Sequence, residues 1–293
     1  MFSSRRMAVV FAGSLTGLCL IGCAGGVPEA DIVTGVRAGD VAAVRALLAR
    51  DPALVQTRVY PQAYERRDQR RAFEAREGRS PWEGRLLIHE AAARVESPRP
   101  LLDLLADAGA DLTVRLNGRT LLHLAARDGN LEVASWLLER GVPVNGLNDC
   151  ADCAEAGWAP LHDAQAFRDD EMSERLLAAG ATADPRARDG RTPLHVAAVS
   201  GKLGGAFVLC RHGADPTRTD AAGHTPFDLA GDPGVTRDPS RVRVEDLPLL
   251  VKWLQPDGGC AAVAAKARAA GRPVPDEEAR TVFARTVGTL AGS

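Results

Sequence analysis

The sequence has few aromatic residues and few lysines, and its net charge is close to zero. Aromatic side chains make up 4% of the 293 residues, so a hydrophobic core must be built mainly from Leu, Val and Ala. Of the 36 basic residues only Lys202, Lys252 and Lys266 are lysine, and the formal net charge is −2. The excess of positive charge that is typical of nucleic-acid binding is absent, which predicts no nucleic-acid partner.

Motifs that carry catalysis are also missing. The chain has no glycine-rich phosphate loop, no G-x-S-x-G, no H-E-x-x-H and no pair of carboxylates in a suggestive frame. Asp163, Asp169 and Asp170 are interpreted as solvated surface residues rather than acid–base groups. We therefore expect no enzyme activity, no cofactor and no metal centre.

The N-terminal residues predict a targeting segment. Arg5-Arg6 precedes the apolar run 7–21, which is shorter than a membrane span of roughly 20 residues. The phrase Leu20-Ile21-Gly22-Cys23 resembles the lipobox of bacterial lipoproteins, in which the cysteine is lipidated. We expect residues 1–22 to be a signal peptide, Cys23 to carry the lipid and residues 23–30 to form a tether. An ordinary secretory signal or an uncleaved anchor is the alternative.

One short phrase with a central histidine recurs along the rest of the chain. It contains His89, His123, His162 and His195, at spacings of 34, 39 and 33 residues, and a fifth copy has Asp228 at the same position. Repetition at this period is typical of a solenoid of small stacked units.

Each unit contains signals for two helices. In the clearest unit Thr192 is a predicted N-cap, Pro193 occupies the first helical position, and the helix continues to about Ser200. A second helix is predicted over 203–211, followed by Gly213 as a left-handed C-cap.

These residues resemble an ankyrin repeat, through the phrase Asp189-Gly190-Arg191-Thr192-Pro193-Leu194-His195-Val196-Ala197-Ala198 and the later Arg211-His212-Gly213-Ala214-Asp215. The resemblance implies an all-α solenoid of stacked helix pairs with finger loops, and non-catalytic binding of another protein. It also implies that the recurring histidine ties its helix to the neighbouring turn by hydrogen bonds. About six repeats are expected over residues 31–256, followed by a capping extension over 257–293. Insertions are expected near 59–83, 148–156 and 232–244.

Ankyrin repeats bind partners through the finger loops and the exposed face of the first helix of each pair, on the concave side. The corresponding positions here are Asn117, Arg119, Arg127, Asp128, Trp158, Phe167, Arg188, Arg191 and Ser200. Trp158 and Phe167 have the composition of an interface hot spot. Alternatively, Trp158 packs back against the inserted loop.

The cysteines leave several possibilities open. Cys150 and Cys153 form a C-x-x-C that could be a disulfide, two free thiols, half of a zinc site or a redox pair. An oxidising compartment favours the disulfide. Among the three possible connectivities of the four mature cysteines apart from Cys23, we favour Cys150 with Cys153 and Cys210 with Cys260, although Cys210 could also be a simple core residue.

Together these features predict a protein-binding lipoprotein of the bacterial envelope. Its partner is expected to be an enzyme or an effector that it modulates or neutralises, as an immunity protein does. The anchor is expected on the periplasmic face of the outer or inner membrane, and Ala24 after the lipidated cysteine favours the outer one. The alternative is a redox or metal-binding envelope protein that uses Cys150 and Cys153.

Overall fold

The computed structural model describes residues 28–59, 85–150, 153, 155–166, 170–232 and 246–287. The signal segment with Cys23 lies outside these ranges, as do most of the insertions near 59–83 and 232–244. No helix among the described residues is both long and apolar enough to cross a bilayer.

Fourteen α-helices occur in the described ranges, and the first twelve form six pairs. The pairs are α1 Pro28–Ala38 with α2 Val41–Arg50, α3 Leu87–Arg94 with α4 Arg99–Asp107, α5 Leu121–Asp128 with α6 Leu131–Glu139, α7 Pro160–Ala166 with α8 Asp170–Ala178, α9 Pro193–Val199 with α10 Leu203–Arg211, and α11 Pro226–Gly231 with α12 Leu247–Leu254. Two longer helices follow, α13 Gly259–Ala270 and α14 Asp276–Val287. A short 3₁₀ turn, Pro52–Gln56, follows α2.

The helix ends in the clearest unit confirm the sequence prediction. Thr192 is the N-cap of α9 with Pro193 in the first turn, and Ser200 is its C-cap. The second helix, α10, covers 203–211 as expected, and Gly213 has a φ of 89°, which a residue with a Cβ adopts only with strain.

The helices form two layers. The first helices of successive pairs pack against one another in chain order, and the second helices form a parallel row behind them. Leu and Ala residues fill the space between the rows, for example Leu122, Leu137 and Leu194, which are all buried. Small alanines such as Ala126 and Ala197 are buried on the first helices, where they let neighbouring helices approach closely. The observed fold is therefore the all-α ankyrin solenoid that the repeats predict.

The finger loops form a second continuous structure beside the helices. Strands β1 Arg115–Leu116 and β2 Arg119–Thr120 pair across an Asn117-Gly118 turn in which both residues have positive φ. Each finger also bonds to the next one: the amides of Asp149, Arg188 and Ala221 donate to the carbonyls of Gly118, Ala156 and Asp189. The fingers are thus held in a row by backbone hydrogen bonds.

Helices α13 and α14 cover the last part of the stack. Helix α13 packs on α10, and both helices pack on α12. Phe207, Trp253 and Phe283 form a cluster there, with ring centroids 5.1–5.8 Å apart. Cys210 of α10 and Cys260 of α13 are fully buried and lie within disulfide distance, with a Cα–Cα separation of 5.2 Å. The pair that we favoured therefore joins α10 to the C-terminal helices.

The long separation of Cys210 and Cys260 predicts a strong effect of their disulfide on stability. The double variant C210A/C260A should lower the free energy of unfolding by about 2–4 kcal/mol, because the bond closes a loop with a sequence separation of 50. Urea titration followed by circular dichroism measures this change.

The matched control is C150A/C153A, which removes a pair separated by only three residues and should cost less. Equal unfolding midpoints for C210A/C260A and the unaltered oxidised chain would show that the buried cysteines contribute no cross-link.

Candidate partner-binding surface

The expected contact residues lie along the fingers and the adjoining helix ends. Asn117 is exposed at the tip of the β1–β2 hairpin, and Arg127 and Asp128 are exposed in the last turn of α5. Arg188 is exposed on a later finger, and Ser200 is half-buried at the end of α9. We call these five residues the finger surface. Phe167 lies outside the described residues.

Arg119 is more buried than a residue that contacts a partner should be. Only 9% of it is exposed. Its guanidinium lies 3.4 Å from Glu155 and 3.9 Å from Asp163, both of which belong to the next repeat. The charge of Arg119 therefore links two repeats.

Arg191 is half-buried and also has partners within the array. Its guanidinium lies 3.5 Å from Asp189 and 3.8 Å from Asp220, and its carbonyl pairs with His162. Because two carboxylates flank it, the Arg191 guanidinium holds adjacent fingers together.

Trp158 is half-buried and its indole stacks on the His162 ring, with 5.8 Å between ring centroids and 21° between planes. Its carbonyl accepts hydrogen bonds from the amide of Asn148 at 2.7 Å and from His123 at 2.9 Å. The backbone of Trp158 thus belongs to the scaffold, and its indole Nε1 is buried.

Asn148 organises the inserted finger, and sequence reasoning gave it no role. Only 5% of it is exposed. Its side chain donates to the Glu155 carbonyl at 2.8 Å and accepts from the Gly157 amide at 2.9 Å. A single asparagine at the start of an insertion carries no distinctive signal in one sequence, so its role appears only in three dimensions.

Cys150 and Cys153 lie within disulfide distance inside this finger, with Cα atoms 5.7 Å apart. His162, the histidine closest to them in sequence, is engaged at both nitrogens: Nδ1 accepts from the Ala159 amide, and Nε2 pairs with the Arg191 carbonyl. Its ring is therefore committed to the scaffold rather than to a metal shared with these cysteines.

The recurring histidines join each repeat to the next. In His123, His162 and His195, Nδ1 accepts from the amide at the helix N-cap. Nε2 of the same rings lies 2.9–3.2 Å from the carbonyls of Trp158, Arg191 and His224 on the following finger. Burial lowers the pKa of His123 and His162 to about 4 and also lowers that of His195, so the rings are neutral near pH 7.

Two carboxylates are buried beside these histidines, and one of them corrects the sequence interpretation. Asp163 was expected to be solvated, but it is 1% exposed, because helix α7 turns this position towards its neighbours. Burial raises the pKa of Asp163 to about 7, against the opposing effect of Arg119. Glu90, at the same position of an earlier repeat, is equally buried and pairs with Arg37 and Arg85 at 2.9 and 2.8 Å. Asp170 is exposed as expected, and Asp169 lies outside the described residues.

Helix pairs that stack side by side, with their finger loops hydrogen-bonded in a row, define a class of repeat protein. Comparison with known proteins identifies the type of repeat. The family profile described as ankyrin repeats (3 copies) matches residues 88–189 and 148–220. The mouse "Ankyrin repeat and SOCS box protein 16" is 38% identical over 120 residues, which are 38% of this chain and 25% of that protein. Its human counterpart is 31% identical over 188 residues, 50% of this chain and 40% of that protein.

A bacterial protein is similar as well. The "Putative ankyrin repeat-containing protein" of Treponema pallidum (strain Nichols) is 34% identical over 128 residues, 42% of this chain and 40% of that protein. The matching part spans less than half of each of these three relatives. The chain thus contains ankyrin repeats, and such repeats indicate a protein-interaction domain.

The buried titratable groups predict a loss of stability in acid. Between about pH 6.5 and pH 4 the unfolded chain protonates His89, His123 and His162, whereas the folded chain keeps them neutral. Asp163 acts in the opposite direction, because its raised pKa lets the folded chain bind a proton that the unfolded chain does not. For these four groups the net difference is about two protons, each contributing roughly 1.4 kcal/mol per pH unit, so their contribution to stability falls with falling pH.

The variant D163N tests this balance. It removes one opposing group, so its free energy of unfolding should fall more steeply than that of the unaltered chain between pH 6.5 and 4.5. Urea titrations at several pH values measure both slopes. E132Q is the control, because Glu132 is exposed and its removal should leave the slope unchanged. Parallel slopes in all three proteins would contradict the prediction.

Proposed function

We propose that this chain is an exported bacterial lipoprotein that binds another protein, without catalysis, through the finger surface on the concave side of its repeats. The single observation that carries the proposal is the row of fingers held by backbone hydrogen bonds and by the histidines. A surface fixed in this way loses little conformational freedom on binding, which favours affinity.

The chemistry of the exposed finger residues supports recognition of a polar protein surface. Asn117, Arg127, Asp128 and Arg188 combine hydrogen-bonding groups with both signs of charge. Arginine is enriched at protein interfaces, and the half-buried Trp158 adds an aromatic residue to the same row of fingers. A partner with complementary charge is therefore favoured over an apolar one.

Two features support an envelope location. The lipobox-like phrase ending in Cys23 is the position at which a lipid would be attached. Two cysteine pairs lie within disulfide distance, and such bonds persist in oxidising compartments such as the periplasm. At this location we propose an enzyme or an antibacterial effector as the partner, with this chain modulating or neutralising it.

A redox function is the second candidate, because Cys150 and Cys153 are paired in a half-exposed finger rather than in the core. In this alternative the cysteines exchange electrons with a partner, and the array positions that partner. The binding experiment below distinguishes the two candidates.

Binding through the finger surface can be measured by crosslinking in intact cells. A photoreactive residue at Asn117 should crosslink a protein partner, and R188E should lower the yield about tenfold through loss of an interfacial charge. R50E is the matched control, because Arg50 is exposed on α2, in the row of second helices. Equal yields for R188E and R50E would refute binding at the fingers. If C150S/C153S no longer affected the partner's activity but still gave an undiminished crosslink, the redox candidate would be favoured.

The anchor is tested by the variant C23S. It should release the chain from the membrane fraction and abolish incorporation of radiolabelled palmitate, because the acylated thiol is removed. R50E serves again as the control that keeps the cysteine. Palmitate labelling that survives in C23S would place the lipid elsewhere and overturn this part of the proposal.

A further inference from the structure

Asp163 and Arg119 form a buried pair of opposite charge whose hydrogen-bonding groups are not matched. The carboxyl of Asp163 is 1% exposed, and its Oδ1 lies 3.9 Å from Arg119 Nε, too far for a hydrogen bond. Within the part of the chain that the structure describes, Asp163 Oδ2 and Arg119 Nε have no hydrogen-bond partner. Such a carboxyl is difficult to ionise, because neither bulk water nor a hydrogen bond stabilises its charge.

The other charged contact of Arg119 is on the inserted finger. Arg119 Nη2 donates to Glu155 Oε2 at 3.4 Å, and 41% of the Glu155 side chain is exposed. The backbone of Glu155 is part of the finger, since its carbonyl accepts from the Asn148 side chain at 2.8 Å and from the Trp158 amide at 3.2 Å. One arginine therefore faces two acids, a buried one on α7 and a half-exposed one on the finger.

The surroundings of Asp163 bring its titration close to neutral pH. Burial raises the pKa of Asp163 to about 7. The charges of Arg119 on β2 and Arg127 on α5 oppose this rise, whereas those of Glu155 on the finger and Asp128 on α5 add to it. Asp163 can therefore change its charge within the range in which the other buried groups of the array keep theirs.

The remaining elements packed against α7 were searched for other titratable groups. Helix α9 has His195 as its one titratable residue, and burial lowers the pKa of this ring, as it does for His123 on α5 and His162 on α7, so all three are neutral near pH 7. On α8, the acids and bases are the exposed Asp170, Glu171 and Arg175, and Glu174, which pairs with Arg211 and His212.

The effect of Glu155 on Asp163 is reciprocal. Because the Glu155 carboxylate raises the pKa of Asp163, ionisation of Asp163 must disfavour the present position of Glu155 by the same free energy. The ionised carboxylate of Asp163 repels Glu155 and also competes with it for Arg119. The neutral carboxyl of Asp163 leaves the Arg119 guanidinium to Glu155.

We propose that Asp163 is a proton-responsive group that controls how firmly the inserted finger is held: its neutral form lets Arg119 hold Glu155 and the finger, and its ionised form loosens them. The finger should therefore be held more firmly below neutral pH than above it. Trp158 belongs to this finger, so binding of a partner to the row of fingers should follow the same pH dependence. This last consequence, unlike the response of the finger, rests on the proposed function.

Hydrogen–deuterium exchange of the full chain at pH 8 measures how firmly the finger is held. Peptides that cover residues 144–158 include the amides of Asp149 and Gly157, which donate to the Gly118 carbonyl and to Asn148 Oδ1. D163N keeps the size of the side chain and removes its charge, so these amides should exchange about threefold more slowly than in the unaltered chain. At pH 6, where Asp163 is mostly neutral, the two proteins should exchange at equal rates.

The variant E155Q tests the connection through Arg119. In an E155Q background, D163N should not change the exchange of the finger at pH 8, because the finger no longer carries the charge that Asp163 repels. E132Q is the matched control: it neutralises an exposed acid of α6 and should leave the finger unchanged. Peptides from α9 and α10 show whether D163N folds normally, since their exchange should stay the same.

If D163N folds poorly, the unaltered chain and E155Q decide the matter. After correction for the intrinsic rate of exchange, the unaltered finger should be about threefold better protected at pH 6 than at pH 8, and the E155Q finger equally protected at both. Equal protection of the finger in a well-folded D163N and in the unaltered chain at pH 8, or a pH effect that persists in E155Q, would overturn the inference. Crosslinking from Asn117 tests the proposed function separately, so either can fail without the other.

Discussion

The stacking of the repeats depends on a histidine imidazole that forms one hydrogen bond within its own repeat and one to the next repeat. In three repeats the ring accepts the N-cap amide of its own helix and reaches a carbonyl of the next finger. Both bonds form only if the ring is neutral, because a protonated Nδ1 cannot accept. Burial ensures this state by disfavouring the charged ring. The same arrangement therefore fixes the start of a helix, the position of the neighbouring finger and the sensitivity of the stack to acid.

Buried acidic residues also connect neighbouring repeats, through arginines of the adjacent repeat. Glu90 and Asp163 occupy the position next to the recurring histidine, where other repeats have Leu124 and Val196. Each buried acid has an arginine from the adjacent repeat beside it, Arg37 in one case and Arg119 in the other. Such pairs are not strong sources of stability, because removing two charges from water costs as much as their attraction returns. A neighbouring repeat without the arginine would leave the acid buried without this partner.

The repeats were predictable from the sequence because each one repeats several signals at fixed offsets. Thr192-Pro193, His195 and Gly213 specify the ends of two helices and the turn between units, and the structure has all of these features at the expected residues. The burial of Arg119 and Asp163 was not predictable, because both depend on the distance between two repeats rather than on either repeat alone. Asn148 gave no signal, because a polar residue in an insertion is ordinary.

The bond between Cys210 and Cys260 has a consequence for the integrity of the chain. It spans the connection between α11 and α12, so a protease that cut the backbone anywhere between these cysteines would leave two fragments still covalently joined. The contacts among Phe207 of α10, Trp253 of α12 and Phe283 of α14 would also help to keep the severed halves in register. A chain cut once between these cysteines would therefore remain one covalent particle until the disulfide is reduced.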